Sequence, residues 1–136
     1  MKTILVVDDE VTRQSPLCRL LQLHGYHTLE ARDAEEALRQ FHDNDCKIDL
    51  LIADVSLPIG SGVQVAAALR EELPELRVIL ATRYPYHMWR ARDYAPLGRL
   101  GSDSVTILQK PFAAQALLAA IGNLIEGRES GAVRTA

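Results

Sequence analysis

The stretch Ile48-Asp49-Leu50-Leu51-Ile52-Ala53-Asp54 decides the fold. Leu50 to Ala53 are apolar without a break, so a strand over Ile48 to Ala53 has no polar face and must be buried on both sides. Strands of that kind lie inside parallel sheets that carry helices above and below. Two further runs read the same way, Thr3 to Val7 and Arg77 to Ala81. Two less apolar ones, His27 to Ala31 and Val105 to Leu108, complete a set of five. Between the runs the apolar residues change to helical spacing: Leu17, Leu20 and Leu21, then Ala34, Ala37, Leu38 and Phe41, then Val65, Ala66, Leu69 and Leu73. A last helix uses Leu117, Leu118, Ile121, Leu124 and Ile125. This alternation predicts an α/β domain built on a doubly wound parallel sheet.

Helix ends are signalled in several places. Gly25 closes the first helix, Asp33 with Glu36 forms an Asp-type capping box for the second, and Gly127 ends the last. Pro16 falls where the first helix should already be running. It either kinks that helix or sits in a first turn capped by Ser15, and the kink is the expectation. Between Arg83 and Ser104, Pro85, Pro96, Gly98 and Gly101 confine any helix to about residues 86–94. Residues 1–126 read as one domain and 127–136 as a polar tail, with no output domain in these 136 residues.

Composition narrows the function. Forty-eight per cent hydrophobic and 24% charged residues suffice for a packed core and exclude disorder as the main state. Fifteen Lys and Arg against 18 Asp and Glu give a net charge of −3, so the chain lacks the basic excess of a nucleic-acid binder. No apolar run approaches the ~18 residues of a membrane span, and nothing at the N-terminus resembles a signal peptide. Cys18 and Cys46 form no C-x-x-C motif or Cys/His cluster in sequence, and His24, His27, His42 and His87 share no ligand spacing. Both cysteines read as free thiols in a reducing compartment, so a cytoplasmic location is expected.

The chemistry collects at one edge of the sheet. Parallel strands point their C-terminal ends the same way, and ligands bind there, where the strand order reverses. Asp8 and Asp9 follow the first strand, Asp54 the third, Thr82 the fourth and Lys110 the fifth. Two carboxylates about 4 Å apart repel by roughly 4 kcal/mol at an effective dielectric of about 20, and a divalent cation relieves the conflict. Oxygen-only ligands suit Mg2+. Asp54 is then a candidate nucleophile for phosphoryl transfer, with Lys110 and Thr82 binding the phosphoryl oxygens.

Over about residues 1–126 these positions resemble the receiver domain of two-component response regulators. The matching motifs are Val7-Asp8-Asp9-Glu10, Asp54-Val55-Ser56-Leu57-Pro58 with Gly62 eight residues after the aspartate, Thr82 closing a strand, and Lys110-Pro111-Phe112. The resemblance implies a flavodoxin-like sheet of order 2-1-3-4-5. It implies that Asp54 accepts a phosphoryl group from a histidine kinase or histidine phosphotransfer protein. Asp9 would bind Mg2+ directly, Asp8 through water, and Ser56 through its backbone carbonyl. Lys110 would pair with the phosphoryl group and Thr82 would move toward it, carrying the following loop. Such a chain is a switch that catalyses only its own phosphorylation and dephosphorylation.

Three positions depart from the family pattern. Ile107 stands three residues before the lysine, where the family usually has Tyr or Phe, so readout is expected through the Thr82 loop. Arg83 replaces the usual small residue after the threonine. Thr82 and Lys110 are 28 residues apart, longer than is common, and the segment between them holds Tyr84, Tyr86, Trp89 and Tyr94 with Arg90, Arg92 and Arg99. A stand-alone receiver and the receiver of a hybrid histidine kinase both fit. The alternatives are a receiver-like binding scaffold independent of phosphate and, more remotely, an aspartate-nucleophile phosphatase. In the phosphatase, Ser56 would occupy the place of the required second Asp.

Overall fold

The computed structural model describes residues 2–10, 15–57, 60–83 and 104–125. In chain order the elements are β1 (Thr3–Val7), α1 (Pro16–Leu23), β2 (His27–Ala31), α2 (Ala34–Asp43), β3 (Leu50–Asp54), α3 (Gly62–Glu72), β4 (Arg77–Thr82), β5 (Val105–Gln109) and α4 (Ala114–Ile125). All five strands pair in parallel in one sheet, in the order β2-β1-β3-β4-β5. Ile4 pairs with both Thr28 and Leu50, and Asp54 pairs with Ala81, so the strand ends come level at one edge.

Alternation along each strand divides the core into two layers. Ile4, Val6, Leu50, Ile52, Ile79 and Leu108 pack with Cys18 and Leu21 of α1 and Leu117 and Ile121 of α4. Leu5, Val7, Leu51, Ala53, Val78 and Leu80 face the other way, onto Ala37 and Phe41 of α2 and Val63, Ala66 and Leu69 of α3. Each fully buried Leu, Ile or Phe contributes about 1.5–3 kcal/mol. A one-residue slip of β1 or β3 would exchange the two sets, so packing on both faces fixes the register that aligns the strand ends.

Local chemistry settles the element boundaries. The expected kink at Pro16 does not occur. Ser15 caps α1 by accepting the Cys18 N–H at 3.3 Å, and Pro16 is the first helical residue, where a missing N–H costs nothing. Gly25, at φ +87°, follows the end of α1 as expected. Asp33 caps α2 through the Glu36 N–H at 2.8 Å, while the Glu36 carboxylate reaches past it to the Arg32 N–H. Strand β3 begins at Leu50 and not Ile48; just before it the Asp49 N–H donates to the Thr3 carbonyl at 2.8 Å and the Asp49 carboxylate accepts the Thr3 N–H at 2.8 Å. Strands β3, β4 and β5 each run one residue further than expected, to Asp54, Thr82 and Gln109. The expected helix at 86–94, the end of the last helix at Gly127 and the 127–136 tail lie outside the described residues. Among the described residues no helix is long and apolar enough to cross a membrane.

Candidate functional site

Between β1 and β3 the chain reverses its winding direction, since β2 lies on one side of β1 and β3 on the other. The crevice beyond that point is where an open α/β sheet binds ligands. Asp8 directly follows β1, with its N–H on the Ala31 carbonyl at 3.0 Å. Asp54 ends β3, and Lys110 directly follows β5, where its N–H bonds the Thr82 carbonyl at 2.6 Å. From there Lys110 Nζ reaches Asp8 Oδ2 and Asp54 Oδ2, each at 3.1 Å. Carboxylate oxygens of Asp8, Asp9 and Asp54 all lie within 4.8 Å of one another. The side chains of Asp54, Lys110 and Asp8 are 12%, 21% and 22% exposed, whereas Asp9 faces solvent.

Backbone donors fix the carboxylates. Asp8 Oδ1 accepts the Glu10 N–H at 3.0 Å, and Asp54 Oδ1 accepts the Ser56 N–H at 3.3 Å. Partial burial pushes the Asp8 pKa up, but the Glu10 N–H and Lys110 outweigh it and leave Asp8 below its ordinary value. Asp9 is raised, first by its hydrogen bond with Asp8, then by desolvation and the neighbouring negative charges. Burial works against the Lys110 charge, yet Asp54 and Asp8 together hold its pKa above the usual lysine value. One ammonium against three carboxylates leaves the cluster about two charges negative. The raised Asp9 pKa is the physical sign that Lys110 alone does not neutralise it.

The structure therefore brings together Asp8, Asp9, Asp54 and Lys110 as the sequence led us to expect. Thr82 is 3% exposed at the end of β4, next to the Asp54 strand. Ser56 and Arg83 line one cleft of about 130 Å³ with Asp9, Glu10 and Asp54. Ile107 is half-buried against the layer formed with α2 and α3. Gly62 has a role that its motif position did not explain. A Cβ there would sit 2.3 Å from the Asp54 carbonyl oxygen and 2.9 Å from Ala53 Cβ, so the start of α3 presses on the backbone that carries Asp54. The sequence reading also missed a second cluster. Cys46, read as part of no Cys/His group, lies in space with His42 and Glu72. The aromatic and arginine residues beyond Arg83 lie outside the described residues.

Residues 4–122 match the family model of the response regulator receiver domain. The chain belongs to the response regulator receiver domain family. The transcriptional regulatory protein CpxR of Escherichia coli K12 is 36% identical to this receiver over 121 residues, covering 89% of this chain and 48% of CpxR. The chain thus spans about half the length of the curated relatives it matches. A response regulator receiver domain from Clostridium thermocellum superposes with a TM-score of 0.77 at 30% identity, covering 93% of this receiver and 96% of that chain. The response regulator TrrA of Thermotoga maritima, solved in complex with Mg(2+)-BeF, superposes with a TM-score of 0.72 at 31% identity, covering 91% and 99%. As a response regulator receiver domain it belongs to two-component systems.

Proposed function

We propose that the chain is a phosphoacceptor switch in which Asp54 takes a phosphoryl group from a phosphohistidine of a histidine kinase or histidine phosphotransfer protein. The observation that carries this reading is Lys110 Nζ held at 3.1 Å from both Asp8 and Asp54, with Asp9 inside the same 4.8 Å cluster. In the transfer an Asp54 carboxylate oxygen bonds to phosphorus and the phosphorus–nitrogen bond breaks. The electron pair of that bond leaves with the donor imidazole, which ends neutral because its other ring nitrogen carries the proton. Lys110, already at Asp54, supplies a charge-assisted hydrogen bond to the phosphoryl oxygens. Thr82 closes on the same group from the end of β4 and carries Arg83 with it.

The cluster suits a hard divalent cation because its side-chain donors are all carboxylate oxygens and its charge is about −2. Asp8, Asp9, Asp54 and the Ser56 carbonyl would hold Mg2+, which supplies charge neutralisation at the phosphoryl oxygens. TrrA, solved in complex with Mg(2+)-BeF, supports that choice of ion. We place the protein in the cytoplasm, with residues 1–126 as the receiver. Nucleic-acid contact is not part of its proposed role.

Incubation with Mg2+ and acetyl phosphate, followed by intact mass, tests the reading. One phosphoryl group should be added, and none when Mg2+ is chelated. A chain that stays unlabelled, and shows no spectral response to beryllofluoride, is a scaffold independent of phosphate.

A further inference from the structure

At the opposite edge of the sheet from Asp54, two helices end side by side. Helices that connect parallel strands run back against them, so the C-termini of α2 and α3 meet below the N-terminal ends of the strands. Helix α2 stops in a left-handed turn. Asn44 is its cap, Asp45 (φ +59°) donates to the His42 carbonyl at 3.1 Å, and Cys46 (φ +56°) donates to the Phe41 carbonyl at 2.9 Å. This turn folds the chain back over the last helical turn and brings the half-buried Cys46 beside His42. Glu72, the last residue of α3, completes the group: His42 Nε2 lies 2.8 Å from Glu72 Oε2, and Cys46 Sγ lies 3.9 Å from Glu72 Oε1.

We propose that His42, Cys46 and Glu72 form a second metal site, for Zn2+ or a similarly borderline-soft divalent cation, distinct from the acidic cluster around Asp54. Ligand atoms of the three residues lie within 4.8 Å of one another. Imidazole nitrogen, thiolate sulfur and carboxylate oxygen are the three donor types that zinc takes, and thiolate is not a ligand that Mg2+ favours. Tetrahedral zinc at its usual bond lengths separates a nitrogen and an oxygen ligand by about 3.3 Å and a sulfur and an oxygen ligand by about 3.6 Å. His42 Nε2 and Cys46 Sγ here approach the two different oxygens of Glu72, at 2.8 and 3.9 Å, so an ion would draw the three side chains onto it from separations already within 4.8 Å. The converging ends of α2 and α3 each carry partial negative charge, which favours a cation between them.

Binding exchanges one set of bonds for another. The Cys46 S–H bond breaks, its proton leaves to solvent, and a metal–sulfur bond takes its place. The hydrogen bond between His42 and Glu72 is given up so that both bind the ion: the proton on His42 Nε2 leaves to solvent, and the ring is neutral in the bound state with its one proton on Nδ1. His42 and Glu72 side chains are 51% and 47% exposed, so the ion enters from solvent and water fills the fourth position. The bound ion would tie α2 to α3 on the face that packs against the strand carrying Asp54.

Co2+ titration of the full chain, reduced and oxygen-free with Mg2+ saturating, tests the proposal. A thiolate-to-cobalt charge-transfer band should grow to one equivalent and be displaced by one equivalent of Zn2+. Cys46→Ser should abolish the band, Cys18→Ala should keep it, and His42→Ala should weaken binding at least about tenfold. Far-UV circular dichroism checks that each variant remains folded. The proposal fails if no thiolate band forms. It also fails if the band persists in Cys46→Ser, or if cobalt uptake is lost in Asp9→Ala but unchanged in Cys46→Ser, which would place all binding in the acidic cluster.

Discussion

The two ends of the sheet each gather three metal-ligating side chains within the same 4.8 Å, and they do so in different ways. At the C-terminal end the donors sit at the ends of β1 and β3, are all carboxylates, and include the half-buried Asp8 and Asp54 with a lysine among them. At the N-terminal end they sit on helix termini, mix nitrogen, sulfur and oxygen, and stay near half exposure at His42 and Glu72. Strand ends are locked by packing on both faces, so a group placed there has a defined position and its charge is felt strongly. Helix ends are set by caps, which leaves their side chains room to adjust. The first arrangement suits a reaction at a fixed atom, and the second suits an ion that draws its ligands together.

After the acceptor itself, the largest effect should come from Lys110, the cation that, among the described residues, joins β5 to the carboxylates of β1 and β3. Lys110→Ala should slow labelling by about 100-fold, the typical cost of losing one charged hydrogen-bond donor to a transferring group. The same change should tighten Mg2+ binding, since it makes the carboxylate cluster more negative. Weaker Mg2+ binding in a calorimetric titration would mean that the lysine organises the carboxylates and does not compete with the ion.

Gly62→Ala tests how rigidly the strand end is held. Its Cβ meets the Asp54 backbone, and overpacking of this kind costs about 1–3 kcal/mol. A urea titration should show that loss in the midpoint, together with slower labelling of Asp54. An unchanged midpoint would mean that α3 shifts freely against β3.

Arg83 sits in the cleft with Asp9, Asp54 and Ser56, where its guanidinium can fold over the phosphoryl oxygens and exclude water. Arg83→Ala should speed both acetyl-phosphate labelling and spontaneous loss of the phosphoryl group, each by a few-fold. Unchanged rates would show the side chain pointing to solvent. Slower labelling with faster loss would make it a recruiter of phosphate without a shielding role.

The smallest effect concerns stability and pH. Asp9 has a raised pKa, so the folded state binds its proton more tightly than the unfolded state does. Its contribution to stability is therefore lost as pH rises from the ordinary value of 3.8 through the raised one. Asp8 is lowered, so its contribution is present above 3.8 and is lost as pH falls through its lowered value. In EDTA at pH 7, Asp9→Asn should raise the melting temperature slightly and Asp8→Asn should lower it. The Asp9 difference should vanish below 3.8, where that carboxyl is protonated in both states. A drop for Asp9→Asn would contradict the assigned like-charge strain.

The contrast between the two ends also explains what could be read from the sequence. Leu50 to Ala53 and the runs like it announce buried strands, and a parallel sheet then sends Asp8, Asp54, Thr82 and Lys110 to one edge. Nothing comparable points to the second cluster. His42 and Cys46 have helical spacing, but Asn44 ends α2 between them, and only the left-handed turn at Asp45 and Cys46 restores their proximity. Glu72 arrives from another helix, 30 residues beyond His42. Pro16 was misjudged because Ser15 offers its cap only when its hydroxyl faces the Cys18 N–H, a matter of local geometry. The contact of Gly62 with Asp54 depends on the angle at which α3 meets β3, which periodicity does not encode.

The central claim is that Asp54 is the acceptor and that the surrounding charges serve it. Intact-mass labelling by acetyl phosphate in saturating Mg2+, with Asp54→Asn beside the parent chain, tests it most directly. The parent should gain one phosphoryl group and Asp54→Asn none, with the parent unlabelled in EDTA. A phosphoryl group on Asp54→Asn, or equal labelling of the parent with and without Mg2+, would contradict the account.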